Sequence, residues 1–185
     1  QQCIKARNKA NRMLGFISRS VMNKSSEVIL KLYLALVRPH LDYAAQFWSP
    51  YHRVDINSLE SVQRRMTKMI PSIRNLPYAE RLRSLNLHSL ERRRARGDMI
   101  EVFKWMKGIN KGDIDKVSIR STLVETRGNG MKLEKYRFRR DTGMYWFGSR
   151  VVDLWNRLPR EVVGCNTVNT FKIKLGELMG DSGWL

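Results

Sequence analysis

The sequence predicts a mainly α protein: a helical bundle around a central apolar helix (about residues 25–37), followed by a smaller α+β C-terminal part that can close a β-hairpin. Apolar residues recur at helical spacing through most of residues 1–108. Within 25–51, Val28, Ile29, Leu30, Leu32, Tyr33, Leu34, Leu36 and Val37 point in nearly every direction, interrupted only by Lys31; a helix apolar all round must be surrounded by others. After Gly128-Asn129-Gly130 the alternation changes to period two, with Asn129-Gly130 as a turn signal. The expected organisation is a helical region at 1–108, a linker at 109–127 and a C-terminal extension at 128–185.

In order, residues 2–19 form an amphipathic helix with Cys3, Ala6, Ala10, Met13, Leu14 and Ile17 on one face, and Lys5, Asn8, Lys9 and Arg12 on the other. That basic face is either a solvated surface or a nucleic-acid contact. Ser25 is a good N-cap for the apolar helix, and Glu27 suits its positive end. Pro39 is expected to stop it, because proline disfavours helical geometry at Arg38 and lacks a donor. Pro39 can instead begin a second short helix over 40–47, before the Trp48-Ser49-Pro50 break. Asp55 caps a helix to Ile70, with Ile56, Leu59, Val62, Met66, Met69 and Ile70 inward and Arg64, Arg65 and Lys68 outward. There Glu60 can relieve the like-charged Arg64 and Lys68. Pro71 ends that helix, and Pro77 opens a short one through Leu85 with Leu82 and Leu85 inward.

The helix predicted over 89–107 buries Ala95, Met99, Val102, Phe103 and Met106 and ends at Gly108. Its first turn carries Arg92, Arg93 and Arg94, where cations oppose the helix dipole. Pairing of Arg94 with Asp98 and of Glu101 with Lys104 explains part of this cluster. The alternative is anion binding by Arg92, Arg93, Arg94 and Arg96, with help from free helix N–H groups. Beyond the linker, 131–147 reads as a hairpin turning near Asp141-Thr142-Gly143. Arg137, Arg139 and Arg140 stand beside Tyr145, Trp146 and Phe147, a mixture that single-strand stacking platforms use; alternatively the rings are core and the arginines snorkel. A short helix over 149–156 and a last one from about Thr167, with Val168, Phe171, Leu175 and Leu178 inward, precede a frayed tail from Gly180.

The charge balance is extreme. Lys+Arg 35 against Asp+Glu 17 gives +18 and a pI near 10.5, which points to a polyanionic partner, nucleic acid ahead of a membrane surface. No apolar run approaches the roughly 18–20 residues that span a bilayer. Cys3 and Cys165 form no disulfide framework, and with His40, His52 and His88 they offer no zinc spacing. Asp113-x-Asp115 reads as solvated linker charge. Phosphate loops, nucleophile elbows and zinc-protease patterns are absent, no small-molecule substrate is evident, and the isolated acids lack a spacing that gathers two Mg²⁺ ions. No signal-peptide pattern is read in these residues. The chain opens with Gln1-Gln2-Cys3 in what reads as mid-helix, so a piece of something longer is expected.

The ordered landmarks are Lys9-Ala-Asn-Arg-Met-Leu-Gly15, Leu36-Val-Arg-Pro-His-Leu-Asp-Tyr43, Trp48-Ser-Pro-Tyr51 and Leu59-Glu-Ser-Val-Gln-Arg-Arg-Met-Thr-Lys-Met-Ile70. They continue with Tyr78-x-Glu80-Arg81-Leu82, Leu90-Glu-Arg-Arg-Arg-Ala-Arg-Gly-Asp-Met-Ile100, Phe147-x-x-Arg150-Val151-Val152, Trp155-Asn156-x-Leu158-Pro159 and Val168-x-x-Phe171-Lys172. Together they resemble the region after the reverse transcriptase palm in jockey-like non-LTR retrotransposons, over nearly the whole chain. The resemblance implies a parent RNA-directed DNA polymerase, intracellular and expected in the nucleus, that copies element RNA at a nicked chromosomal target. The helical part would be its thumb, holding an RNA–DNA or DNA duplex by its backbone beside the palm. The palm's aromatic-x-Asp-Asp motif is missing, so no catalytic residue carries over; the Mg²⁺ of the parent reaction would belong to the palm, and this stretch needs no cofactor. Two alternatives stand beside a duplex-holding fragment: a polymerase piece active only when joined to its palm, and a stand-alone protein-interaction module.

Overall fold

The computed structural model describes residues 1–110, 119–120, 131–134, 143 and 145–180. It is mainly helical, as the periodicities predict, and divides into two compact units, Gln1–Arg94 and Ala95–Leu185. The division falls inside one helix, and most of the linker expected at 109–127 lies outside the described residues.

In the first unit, α1 (Gln2–Ser20) is the middle element, packed on α5 (Arg53–Lys68) and on the helical run 26–42. Its buried stripe is Ala6, Ala10, Leu14 and Ile17. The two alanines have no bulk beyond Cβ, which leaves room for a neighbouring element at that end.

The run 26–42 comprises α2 (Ser26–Leu32), a π-helical turn (Tyr33–Val37) and α3 (Arg38–Asp42). Two expectations fail here. The chain stays helical through Pro39, because the Arg38 N–H bonds the Tyr33 carbonyl five residues back. The wider turn offers a way past the clash that proline otherwise makes with the carbonyl four residues earlier. Nor is the run covered on every side. Only Ile29, Tyr33, Val37 and Leu41 are buried, each four residues from the last, whereas Leu36 is 40% exposed. Residues four apart drift about 40° per step around a regular α-helix; the π turn unwinds part of that drift and keeps the stripe on one face. The remaining apolar residues of the run are half-buried or exposed. Ala44, with φ 52, then turns the chain into the single-turn α4 (Ala45–Trp48).

α5 begins at Arg53, two residues before the expected Asp55 cap, and buries Leu59, Val62 and Met66 as predicted, with Ile70 just beyond. α6 (Tyr78–Ser84) ends on Asn86 at φ 51: Leu87 N–H reaches back to the Leu82 carbonyl and Asn86 N–H to that of Arg83. These are the paired bonds of a left-handed C-terminal cap. α7 (Leu90–Met106) closes in the same way on Gly108 at φ 68, the position expected for it.

The second unit gathers Met99, Val102 and Phe103 of α7 with α8 (Phe147–Asn156), α9 (Arg160–Val163) and α10 (Val168–Gly180). Trp155 and Phe171 are fully buried, and Phe103 stacks on Phe171 with ring centres 4.2 Å apart. Two expectations are corrected. Leu133–Glu134 (β2) pairs antiparallel with Ile119–Arg120 (β1), upstream of it, rather than with residues near 147. Phe147 opens α8, since Phe147, Val151, Val152 and Trp155 repeat at helical spacing and are all buried. The Asn156 side chain ties α8 to β2: it accepts the Leu133 N–H at 2.9 Å and donates to the Leu133 carbonyl at 2.8 Å. Trp155 Nε1 donates to the Met131 carbonyl at 2.7 Å. Most of the expected turn, residues 135–142, and the tail 181–185 lie outside the described residues.

Candidate nucleic-acid interface

Lys5, Lys9 and Arg12 follow one another along α1 at four- and three-residue steps, so they share a face, and all three are exposed. None forms an ion pair among the described residues. Phe16 continues the same row and is 56% exposed. The row borders a shallow furrow whose far side is His40 of α3 and Tyr43 just beyond it. One part, about 440 Å³, is lined by Lys9, Arg12, Met13, Phe16 and His40. An adjoining part, about 140 Å³, shares Lys9 and His40 and adds Gln2, Lys5, Ala6 and Tyr43. No carboxylate lines either part.

α5 presents a second basic row, Arg64, Arg65 and Lys68, all exposed. Arg65 and Lys68 are without an ion pair among the described residues. Arg64 lies over the Tyr78 ring at 4.7 Å, and Arg81 approaches that ring at 5.3 Å. Arg81 is a buried strut: its Nη1 donates to the Arg64 carbonyl at 3.1 Å and to Thr67 Oγ1 at 2.8 Å, tying α6 to the end of α5.

The arginine cluster of α7 is placed differently from the anion-binding expectation. Arg94 is 6% exposed; it donates to the Leu41 carbonyl at 3.3 Å and lies over the Trp48 ring at 5.7 Å. Burial lowers its pKa from the ordinary arginine value, partly offset by Asp42 and Glu60. Arg93 pairs with Asp42 at 2.6 Å. Two cations, Arg93 and the more distant Arg38, thus compensate an acid placed unfavourably at the α3 C-terminus. Arg92 is half-buried, with its backbone N–H capped by Ser89 Oγ at 3.2 Å. Arg96 donates to the Lys172 carbonyl at 3.0 Å. The expected partner of Arg94, Asp98, takes a two-pronged bond from Arg150 at 2.9 and 3.1 Å. The expected Glu101–Lys104 pair forms at 3.4 Å.

What positions α7 in the first unit is a buried polar network that the sequence did not announce. Glu60, 5% exposed, does not face Arg64 in solvent as expected; its carboxylate accepts the Tyr78 hydroxyl and, at 2.8 Å, the Leu90 N–H at the α7 N-terminus. A carboxylate there meets both an orphan donor and the positive end of the helix dipole. Gln63 joins the same cluster: it accepts from the Tyr33 hydroxyl at 2.7 Å and donates to the His88 carbonyl at 2.9 Å. Burial first, and Glu60 second, push the Tyr78 hydroxyl well above the usual tyrosine range. Burial does the same for Tyr33, with Asp42 next.

Lys5, Lys9 and Arg12 therefore come together with the furrow, and Arg64, Arg65 and Lys68 form a second row. Arg93, Arg94 and Arg96 are engaged by protein groups, and Arg137, Arg139 and Arg140 lie outside the described residues. Met13, Phe16, His40 and Tyr43 were missed. Phe16 carried a signal, an aromatic at the next step of a basic row; the approach of His40 and Tyr43 is long-range and carried none. Among the described residues no group of His, Cys, Asp or Glu gathers to hold a metal ion, and no helix is long and apolar enough to cross a membrane. No family model, curated protein or solved structure matches the chain.

Proposed function

We propose that the chain is a nucleic-acid-binding part of a retrotransposon RNA-directed DNA polymerase of the jockey-like kind, holding template–primer duplex through its phosphates. The observation that carries the reading is the pair of exposed basic rows, Lys5-Lys9-Arg12 and Arg64-Arg65-Lys68, on a chain of net charge +18. Phosphate contacts of this kind release counterions, position the duplex and read no sequence. The landmark motifs support the parent assignment, and a palm supplied by the rest of the parent would do the chemistry.

The test is a filter-binding titration against random-sequence DNA duplex and RNA–DNA hybrid between about 50 and 200 mM salt. Engagement of four or five of these side chains gives a log–log slope of about −4 on B-DNA. A flat titration sinks the proposal. A second reading, a protein-interaction module, draws on the exposed Leu36, Phe47 and Val54; it requires a chain that ignores both duplexes at physiological salt.

A further inference from the structure

We infer that the furrow between α1 and α3 seats unpaired bases of a single-stranded nucleic-acid segment, a ligand distinct from the duplex held by phosphate contacts. The inference rests on the nucleic-acid reading above and names a second substrate class for its α1 row. The furrow combines three features. Its rim is cationic, through Lys5, Lys9 and Arg12, and its lining has no acid to repel a phosphate. Its floor is apolar, from Ala6 and Met13. Its edges offer ring faces, with Phe16 56% and Tyr43 79% exposed.

A duplex makes poor use of such a groove. Its bases are stacked on one another, and it presents phosphates and groove edges to a protein. A single strand presents phosphates and bare base faces together, and bases stack on aromatic side chains whatever their identity. Lys5 to Arg12 covers about 10 Å along the helix axis, the length of about three stacked nucleotides at 3.4 Å each. Charge separates this occupant from a protein's apolar segment: a neutral side chain would fill the floor and leave three cations unmatched.

The full 185-residue chain is titrated by fluorescence anisotropy with three labelled probes: a twelve-nucleotide oligo-dT, an abasic oligomer of equal length and a twelve-base-pair duplex. Oligo-dT binds about ten-fold or more tighter than the abasic oligomer. Phe16→Ala and Tyr43→Ala each weaken oligo-dT about five-fold or more, leave the duplex within two-fold, and leave the circular dichroism of the protein unchanged. Phe16→Leu and Tyr43→Leu, which keep bulk and remove the ring face, repeat the loss should either alanine variant unfold. Equal binding of dT and abasic oligomers overturns the inference, as does indifference of oligo-dT to the leucine variants. Duplex binding that persists in those cases leaves the phosphate-contact reading standing and the furrow to a protein's apolar side chain. Loss of binding to all three probes removes both readings.

Discussion

Arg94 offers the sharpest separation between a scaffold arginine and a nucleic-acid contact. Replacing it with alanine removes a buried stem, the bond to the Leu41 carbonyl at 3.3 Å and the position over Trp48. Lost packing costs about 2–3 kcal/mol by analogy with large-to-small core changes. The bond and the ring contact add about 1 kcal/mol each. Against this, the variant no longer buries a guanidinium whose Nε has no partner, which returns about 1–2 kcal/mol. The net is a loss of about 2–4 kcal/mol for Arg94→Ala, and about 0–1 kcal/mol for Arg94→Met, which keeps the stem. Urea denaturation followed by circular dichroism reads these values. In parallel, the salt slope of duplex binding stays at its starting value in both variants, while Lys9→Ala or Lys68→Ala each reduces it by about 0.9 and leaves stability unchanged. A stable Arg94→Met protein with its slope lowered by about one would refute the scaffold role and return Arg94 to the phosphate-binding set.

Glu60→Ala leaves the Leu90 N–H and the Tyr78 hydroxyl without their acceptor and should destabilise the first unit by about 2–4 kcal/mol. Glu60→Gln keeps one acceptor and should cost less; equal stability of the alanine variant and the parent protein in urea would show that the network contributes nothing. Stability should also fall above about pH 10. Tyr33 and Tyr78 keep their protons in the fold beyond the pH at which an unfolded tyrosine releases its own. Their stabilisation is therefore complete below the unfolded pKa and is lost as pH rises toward the folded one. Urea midpoints at pH 9 and 11 measure the loss, and a Tyr33→Phe/Tyr78→Phe double variant with the same alkaline decline would contradict the assignment. Burial first, then Asp55, raises the Cys3 thiol pKa, so iodoacetamide at pH 8.5 should alkylate Cys3 more slowly in the folded chain than in urea; equal rates would dismiss that environment.

Much of the helical framework was legible because helix signals are local. The stripe Ala6-Ala10-Leu14-Ile17 and the stops at Gly108 and Pro71 follow from spacing and capping within a few residues. The errors share one cause, the number of partners an element has. A wheel counts apolar positions on 28–37 but cannot count the helices available to cover them, so a run with one buried stripe looked central while α1 took that place. Pro39 was misjudged for a related reason. A proline breaks a regular helix, and the π turn that accommodates it also serves the four-residue spacing of a stripe facing α1. Period-two alternation at 131–136 correctly suggested a strand at Leu133–Glu134, yet its partner lies upstream, and nothing local identifies a partner.

The same distinction governs the basic residues. On α1 and α5 the local pattern was sufficient: a cation opposite the buried stripe is exposed. On α7 it was not, because Arg93 and Arg94 meet Asp42 and the Leu41 carbonyl, about fifty residues earlier in the chain. These contacts also change what the landmark motifs signify. Leu41-Asp42 of one motif holds Arg93 and Arg94 of another, while Glu60 of a third holds the first N–H of the same helix. The motif residues at this junction therefore fix how α7 starts, whereas Lys5, Phe16 and Lys68 stand exposed on their helices. A motif rich in arginine can thus identify a scaffold. The binding surface has to be sought among the cations that the scaffold leaves unpaired.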